Sequence, residues 1–222
     1  YSQIELRLLG HLSGDAELRR TFEAGADLHR VTASRVFGVS EDRVTAAQRD
    51  AAKRINFGIL YGISPFGLAK ELGTSQSEAK GYIDRFFAAY PDAHAYIESL
   101  IRQATERGYA ETLLGRRRPL RDLSSKDASR RNFDRRNAVN TPIQGSAADL
   151  IKLAMIDIDR RIREERWPAK MLLQIHDELV FEVELGACPE VAREVERAMK
   201  EVLDLRVPLE VKVSVGRNWG EI

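Results

Sequence analysis

At 222 residues the chain is long enough to bury one large core or two modest ones. A hydrophobic content of 43% beside 31% charged residues is ordinary for a globular protein, and no apolar run approaches the roughly 20 residues of a membrane helix, so no membrane partner is expected. The net charge of +1 gives no overall attraction to nucleic acid, and a single cysteine, Cys188, excludes an internal disulfide and fits a reducing cytoplasm.

Helical signals dominate the first two thirds. Asp27 is placed to cap a helix through Val31 and Val36 that stops at Gly38. Thr45 and Gln48 form a capping box for a helix reaching Tyr61 and Gly62, and Ser75 with Glu78 form another. After the second, Ala79, Tyr82, Ile83, Phe86, Phe87 and Tyr90 recur at helical spacing and predict a buried face that Pro91 ends. Ile97, Leu100, Ile101 and Ala104 predict the next helix, closed near Gly108. Residues 113–126 read as a basic loop, and helix resumes near Ala128. Thr141, Pro142 and Gln144 offer a capping box with proline in the first turn, so either a new helix starts there or a long one kinks. Trp167 and Pro168 break it.

The period then changes. Residues 171–175 and 179–183 read as two strands with His176 to Glu178 at the turn, Pro189 starts a helix, and the alternating 207–215 reads as a final strand. Helices first, then strand, strand, helix, strand, predict an α+β fold: a small antiparallel sheet preceded by a mainly helical subdomain.

Three constellations could carry chemistry. Arg49, Lys53, Phe57 and Tyr61 are spaced by four, a drift of about 40° per step, so all share one broad helix face. Two cations followed by two aromatics can hold phosphates and wall a base and sugar; the same spacing also suits surface cations above core aromatics. At the His176–Asp177–Glu178 tip, carboxylates flanked by apolar strands can hold Mg²⁺, although acids are also common in solvated turns. One carboxylate cannot hold two ions about 3.5–4 Å apart, so Asp177 needs a partner acid. Arg136, Asn140 and Gln144, again spaced by four, are donors that could test the minor-groove acceptors shared by all base pairs, or simply line a helix surface. Between Arg116 and Arg136 the segment holds nine basic against three acidic residues in 21 positions, which suits a phosphate backbone or a solvated helix face.

YSQIELR (1–7), RDAAKRINFGILYG (49–62), ETLLGRRR (111–118), NTPIQGSAADLIKLAM (140–155) and LLQIHDELVFE (172–182) together resemble the bacterial family A DNA polymerases. The resemblance runs over essentially the whole chain. It implies an incomplete right-hand polymerase fold, with palm at 1–12 and 136–222 and fingers at 13–135. It implies template-directed addition of dNTPs to a primer 3′-hydroxyl by two-metal phosphoryl transfer in replication and repair, with two Mg²⁺ ions (Mn²⁺ as a substitute), primer–template DNA and dNTPs as partners, and a bacterial, nucleoid-associated cytoplasmic enzyme.

The family's first motif reads DYSQIELR; this chain matches it from Tyr1. The resemblance therefore expects the second metal-binding aspartate, and the thumb, in upstream polypeptide. By the same resemblance Asp177 and the Tyr1 carbonyl hold metal, with Glu178 beside them at the catalytic tip. Glu5, near Tyr61, is the steric gate against a ribose 2′-hydroxyl, and Gln3 joins it at the nucleotide. Arg49 and Lys53 grip the triphosphate with His29 assisting. Phe57 packs on the nucleotide and, being phenylalanine, implies discrimination against dideoxynucleotides. Arg136, Asn140, Gln144 and His176 line the primer–template minor groove, and Arg116, Arg117 and Arg118 track the DNA backbone.

Two other readings follow from the same residues. A metal-dependent phosphohydrolase could use the His176–Asp177 pair, but that class sets its ligands on helices with more histidines than His11, His29 and His94 supply. A non-catalytic DNA- or nucleotide-binding role suits the chain taken alone, because one acid of the metal pair would lie outside it.

Overall fold

The computed structural model describes residues 1–221. Two compact units divide the chain: residues 5–146, and residues 1–4 together with 147–222. Helix accounts for 64% of the chain, with two small antiparallel sheets, so the α+β class leans heavily to α.

The 5–146 unit is helical because its sequence punctuates helices clearly. Ile4–Ser13 forms α1, Ala16–Glu23 α2 and Leu28–Phe37 α3. Asp15 caps α2 by accepting from the backbone of Glu17 and Leu18, and its other oxygen accepts from the first-turn N–H groups of Asp92 and Ala93. One buried carboxylate thus satisfies the orphan donors of two helix starts. Asp27 caps α3, which closes on Gly38 in the left-handed conformation. The Thr45–Gln48 box opens α4, Ala46–Leu60; Pro65–Leu72 forms α5; and the Ser75–Glu78 box opens α6, Gln76–Ala89. The helix α7, Pro91–Arg107, follows. Phe86 and Tyr90 of the predicted stripe are fully buried, and the Tyr90 hydroxyl meets the buried Thr32 hydroxyl at 3.1 Å. Tyr82, Ile83 and Phe87 are only half-buried.

Residues 113–126 are not all loop. Tyr109–Glu111 forms β1 and Arg117–Pro119 forms β2, an antiparallel pair with Glu111 opposite Arg117. Three-residue strands are too short for alternation to register in sequence. The helix α8, Ala128–Glu164, passes from one unit into the other as a single helix, so no new helix begins at Thr141; Pro142 lies inside it. The Thr141 hydroxyl is buried without a partner instead of capping. Ser146 Oγ donates to the Pro142 carbonyl and accepts from the Leu113 backbone N–H at 2.8 Å, joining α8 to the chain that leaves β1.

The same approach explains Gly145. A Cβ there would overlap Thr112 Cγ2, and Thr112 is buried. Helix propensity alone favours alanine over glycine by about 1 kcal/mol. We nevertheless expect Gly145→Ala to lower stability by about 1–3 kcal/mol through overpacking, and Thr112→Ser, which removes the obstructing methyl, to restore most of the loss. Urea unfolding of the three variants checks this.

In the other unit, Ala169–Ile175 (β3) and Glu178–Val183 (β4) form an antiparallel hairpin whose register shifts between Met171 and Leu173. Cys188–Lys200 is α9, and its Val191, Val195, Ala198 and Met199 pack with Ala154 and Ile158 of α8. The predicted final strand does not form. Val207, Leu209 and Val211 are buried while Pro208, Glu210 and Lys212 are exposed, so the alternation is real over 207–212, whereas Val213 and Val215 are exposed. Alternation specifies a face and not a ladder, however, and among the described residues this segment joins no sheet. Ser2 N–H donates to its Glu210 carbonyl at 2.8 Å.

Candidate functional site

In the 5–146 unit the site is built on α4. Arg49, Lys53, Phe57 and Tyr61 follow its face in order, Tyr61 being the last helical cap. The Phe57 and Tyr61 rings stack at 6.1 Å, and His29, from α3, lies against Phe57 at 5.9 Å. The Tyr61 hydroxyl donates to Glu5 Oε2 at 2.6 Å. Sequence spacing predicted the four-residue face, the family resemblance expected Glu5 near Tyr61 and His29 with the cations, and the structure brings both against α4 from two other helices.

The two cations are in different states. Arg49 Nε donates to Asp27 Oδ2 at 2.5 Å, while Lys53 is exposed and makes no ion pair among the described residues. Burial would raise the Asp27 carboxyl, but the Arg49 hydrogen bond and charge, with the Arg30 and His29 backbone N–H groups, outweigh it and hold the carboxyl below its usual range. Asp27 thus caps α3 and tethers Arg49. Only the cap was visible in sequence.

Burial pushes the His29 imidazole down to about 4; Asp27 pulls it up, while Arg49 and Lys53 push it further down. His29 is therefore neutral at physiological pH. The unfolded chain takes up a proton near the ordinary histidine value of about 6.5, and the folded chain does not until about 4. More protons are bound by the unfolded state in that window, so stability falls as pH drops from about 6.5 to 4. An NMR titration of His29 should show its midpoint near 4, and His29→Gln should flatten that part of the stability profile.

The end of α4 meets the start of α8. Gly62 has φ +70°, and a Cβ there would stand 3.2 Å from Arg136 Cγ. Glycine supplies both the left-handed turn and the room for Arg136. Between them opens a cleft of about 710 Å³ lined by Arg54, Phe57, Tyr61, Asn132, Arg135 and Arg136. Arg136 and Gln144 are exposed on α8 and Asn140 is half-buried, its Oδ1 lacking a partner. In the basic stretch, Arg117 is committed: it donates to Glu111 at 2.6 Å and stacks 4.6 Å over the Tyr109 ring. Arg116 and Arg118 are exposed.

In the other unit the β3–β4 hairpin turns on His176 and Asp177 alone, a tighter turn than the predicted three residues, because Glu178 already pairs with Ile175. His176 has φ +53°, and so does Gln3. Non-glycine residues in this region cost on the order of 1 kcal/mol and concentrate at functional sites; no periodicity reveals them. The Tyr1 amino group donates to the Asp177 carbonyl at 2.8 Å, and the Tyr1 hydroxyl to the Met199 carbonyl at 2.9 Å, where burial pushes the phenol well above its usual range. Tyr1 is thereby held beside the turn. Asp177 is half-buried, and Glu178 and His176 are exposed. Among the described residues no three His, Cys, Asp or Glu side chains gather into a cluster.

The family described as DNA polymerase family A matches residues 1–221. The chain is 45% identical over 222 residues to a DNA polymerase I of Lactococcus lactis subsp. lactis, covering all of this chain and 25% of that protein. It is 48% identical over 219 residues to a DNA polymerase I of Geobacillus stearothermophilus, covering 99% of this chain and 25% of that protein. The fold matches the POL domain of Pol1 from M. smegmatis, solved in complex with DNA primer-template and dNTP, with a TM-score of 0.95 and 44% identity over 99% of this chain and 39% of that one. The chain belongs to DNA polymerase family A. It spans about a quarter of the length of these relatives. No described helix is long and apolar enough to cross a membrane.

Proposed function

We propose that this chain forms the nucleotide-binding and part of the catalytic portion of a DNA-directed DNA polymerase acting in replication and repair in the bacterial cytoplasm. The observation that carries the reading is the α4 face: two cations, then two stacked rings, with His29 and the Tyr61–Glu5 hydrogen bond closing the far end. A triphosphate fits the cationic end and a base and sugar the aromatic end. The related Pol1 domain was solved with primer-template and dNTP.

In this reading Lys53 and Arg49 hold the triphosphate of an incoming dNTP, and neutral His29 donates to a phosphate oxygen. Lys53 also stabilises charge that builds on the phosphates during transfer. Phe57 packs on the sugar and base. Glu5, fixed by Tyr61, stands where a 2′-hydroxyl would sit and excludes ribose, with Gln3 beside it. Arg136, Asn140, Gln144 and His176 donate to minor-groove acceptors of the primer–template, and Arg116, Arg117 and Arg118 follow the backbone. Residues 1–12 and 136–222 serve as palm and 13–135 as fingers. Swinging of α4 on nucleotide binding would couple a matched base pair to rate.

The tip suits Mg²⁺ or Mn²⁺ because its donors are hard oxygens, and the Tyr1 nitrogen bonded to the Asp177 backbone carbonyl supports the reading that these two residues are neighbours. Asp177 and the Tyr1 carbonyl would hold the ion, with Glu178 adjacent. Bound there, such an ion supplies Lewis-acid chemistry, easing ionisation of the primer 3′-hydroxyl and balancing phosphate charge. A second ion would need another carboxylate besides Asp177. Primer extension by the natural polypeptide that carries this sequence, with Mg²⁺ and four dNTPs, tests the proposal. Extension directed by template supports it; DNA binding without extension favours a purely binding role.

A further inference from the structure

The amide of Asn56 is the one buried polar group of α4 that the proposed function leaves unused. Asn56 and His29 are both almost fully buried, and Asn56 Nδ2 lies 2.9 Å from His29 Nδ1. The Asn56 Oδ1 has no partner, so the amide's single hydrogen bond is directed at the ring. An amide nitrogen can only donate, so Nδ1 must accept, and in a neutral imidazole the proton then resides on Nε2. No described group bonds Nε2. The charged groups around the ring are Asp27 at the start of its own helix and Arg49 and Lys53 on α4, with Phe57 against its face. Asp27 is already bonded to Arg49. A donor left open in a corner with two cations is suited to one class of ligand, an anionic oxygen.

We infer that Asn56 is a positioning residue: it locks His29 as the Nε2–H tautomer, so that a neutral ring donates to a phosphate oxygen of the incoming nucleotide. The inference rests on the proposed nucleotide site and adds a residue to it. Without the lock, the ring would spend part of its time as the Nδ1–H tautomer, presenting a lone pair to the phosphate, which repels it.

Two measurements on the natural polypeptide test this. In the first, ¹⁵N-histidine labelling, with His29→Gln to assign the signal, reads the tautomer at pH 7. Nε2–H is expected in the wild type, and a mixture in Asn56→Leu. Nδ1–H in the wild type overturns the inference, whatever the variant does. In the second, Asn56→Leu is expected to raise the dNTP KM about tenfold, the scale of one hydrogen bond to a charged group, with kcat within about twofold. The same substitution made in His29→Ala should add nothing. An equal further loss in that background means that Asn56 acts on stability alone and overturns the positioning role. An unchanged KM for His29→Ala itself removes the phosphate grip, and the role of Asn56 with it, while the tautomer result shows which of the two ideas failed.

Discussion

Replacing Asp177 with asparagine is expected to lower primer extension by on the order of 10³ while leaving DNA binding within about twofold. Asparagine keeps the shape and one oxygen of the side chain but removes the charge, and a divalent ion depends on that charge. The turn should survive the change. Its register is set by the β3–β4 pairing, its backbone strain is carried by His176, and the Tyr1 contact is to the Asp177 carbonyl. Loss of extension with DNA binding intact therefore reads out chemistry, not folding. Glu178→Gln, at the first residue of β4 and exposed, should cost less, because its side chain points from a paired position instead of the turn itself. Rapid-quench extension assays with gel-shift controls separate these outcomes. If Asp177→Asn extends at the wild-type rate, the hairpin tip is not the metal corner.

Lys53→Ala is expected to reduce kcat/KM for dNTP by roughly 10²–10³, the range seen when a preorganised charge facing a developing anion is removed. The exposure of Lys53 makes this a clean substitution: no ion pair among the described residues breaks, and α4 is anchored by its buried Ala52, Ile55 and Ile59. Lys53→Arg should recover part of the loss, since charge is kept but the point-like ammonium is not. Arg49→Ala differs in kind. It releases Asp27, leaving an unpaired carboxylate next to the phosphate position, so both attraction and tether are lost. Single-turnover incorporation at varied dNTP concentration distinguishes the two. A Lys53→Ala enzyme with unchanged kcat/KM would remove the cationic end of α4 from the reaction.

Much of this was legible because helix signals are local. Each capping residue or box spans at most four residues, and a closing glycine or proline is a single residue, so the bounds of α3, α4 and α6 could be read from the chain. The spacing of Arg49, Lys53, Phe57 and Tyr61 is likewise a property of one helix. What failed or was missed depends on distant partners. Val207 to Val215 alternates as a strand does, but a ladder needs a neighbour that periodicity cannot supply. Thr141 and Pro142 left open a new helix or one long helix, and the second is what forms; the choice between them was not local, since Ser146 bonds both the Pro142 carbonyl and distant Leu113. The Asn56–His29 and Asp27–Arg49 pairs join residues 27 and 22 apart in sequence. The positive φ of His176 and Gln3 leaves no mark in either residue's type.

The most direct test is single-turnover incorporation by the natural polypeptide on four primer–templates that differ only in the templating base, each offered every dNTP in turn with Mg²⁺. Preferential addition of the complementary nucleotide on all four templates, lost in Lys53→Ala and Asp177→Asn, is the expected result. Addition that ignores the templating base, or that persists in both variants, would contradict the assignment of α4 and the hairpin tip to template-directed synthesis.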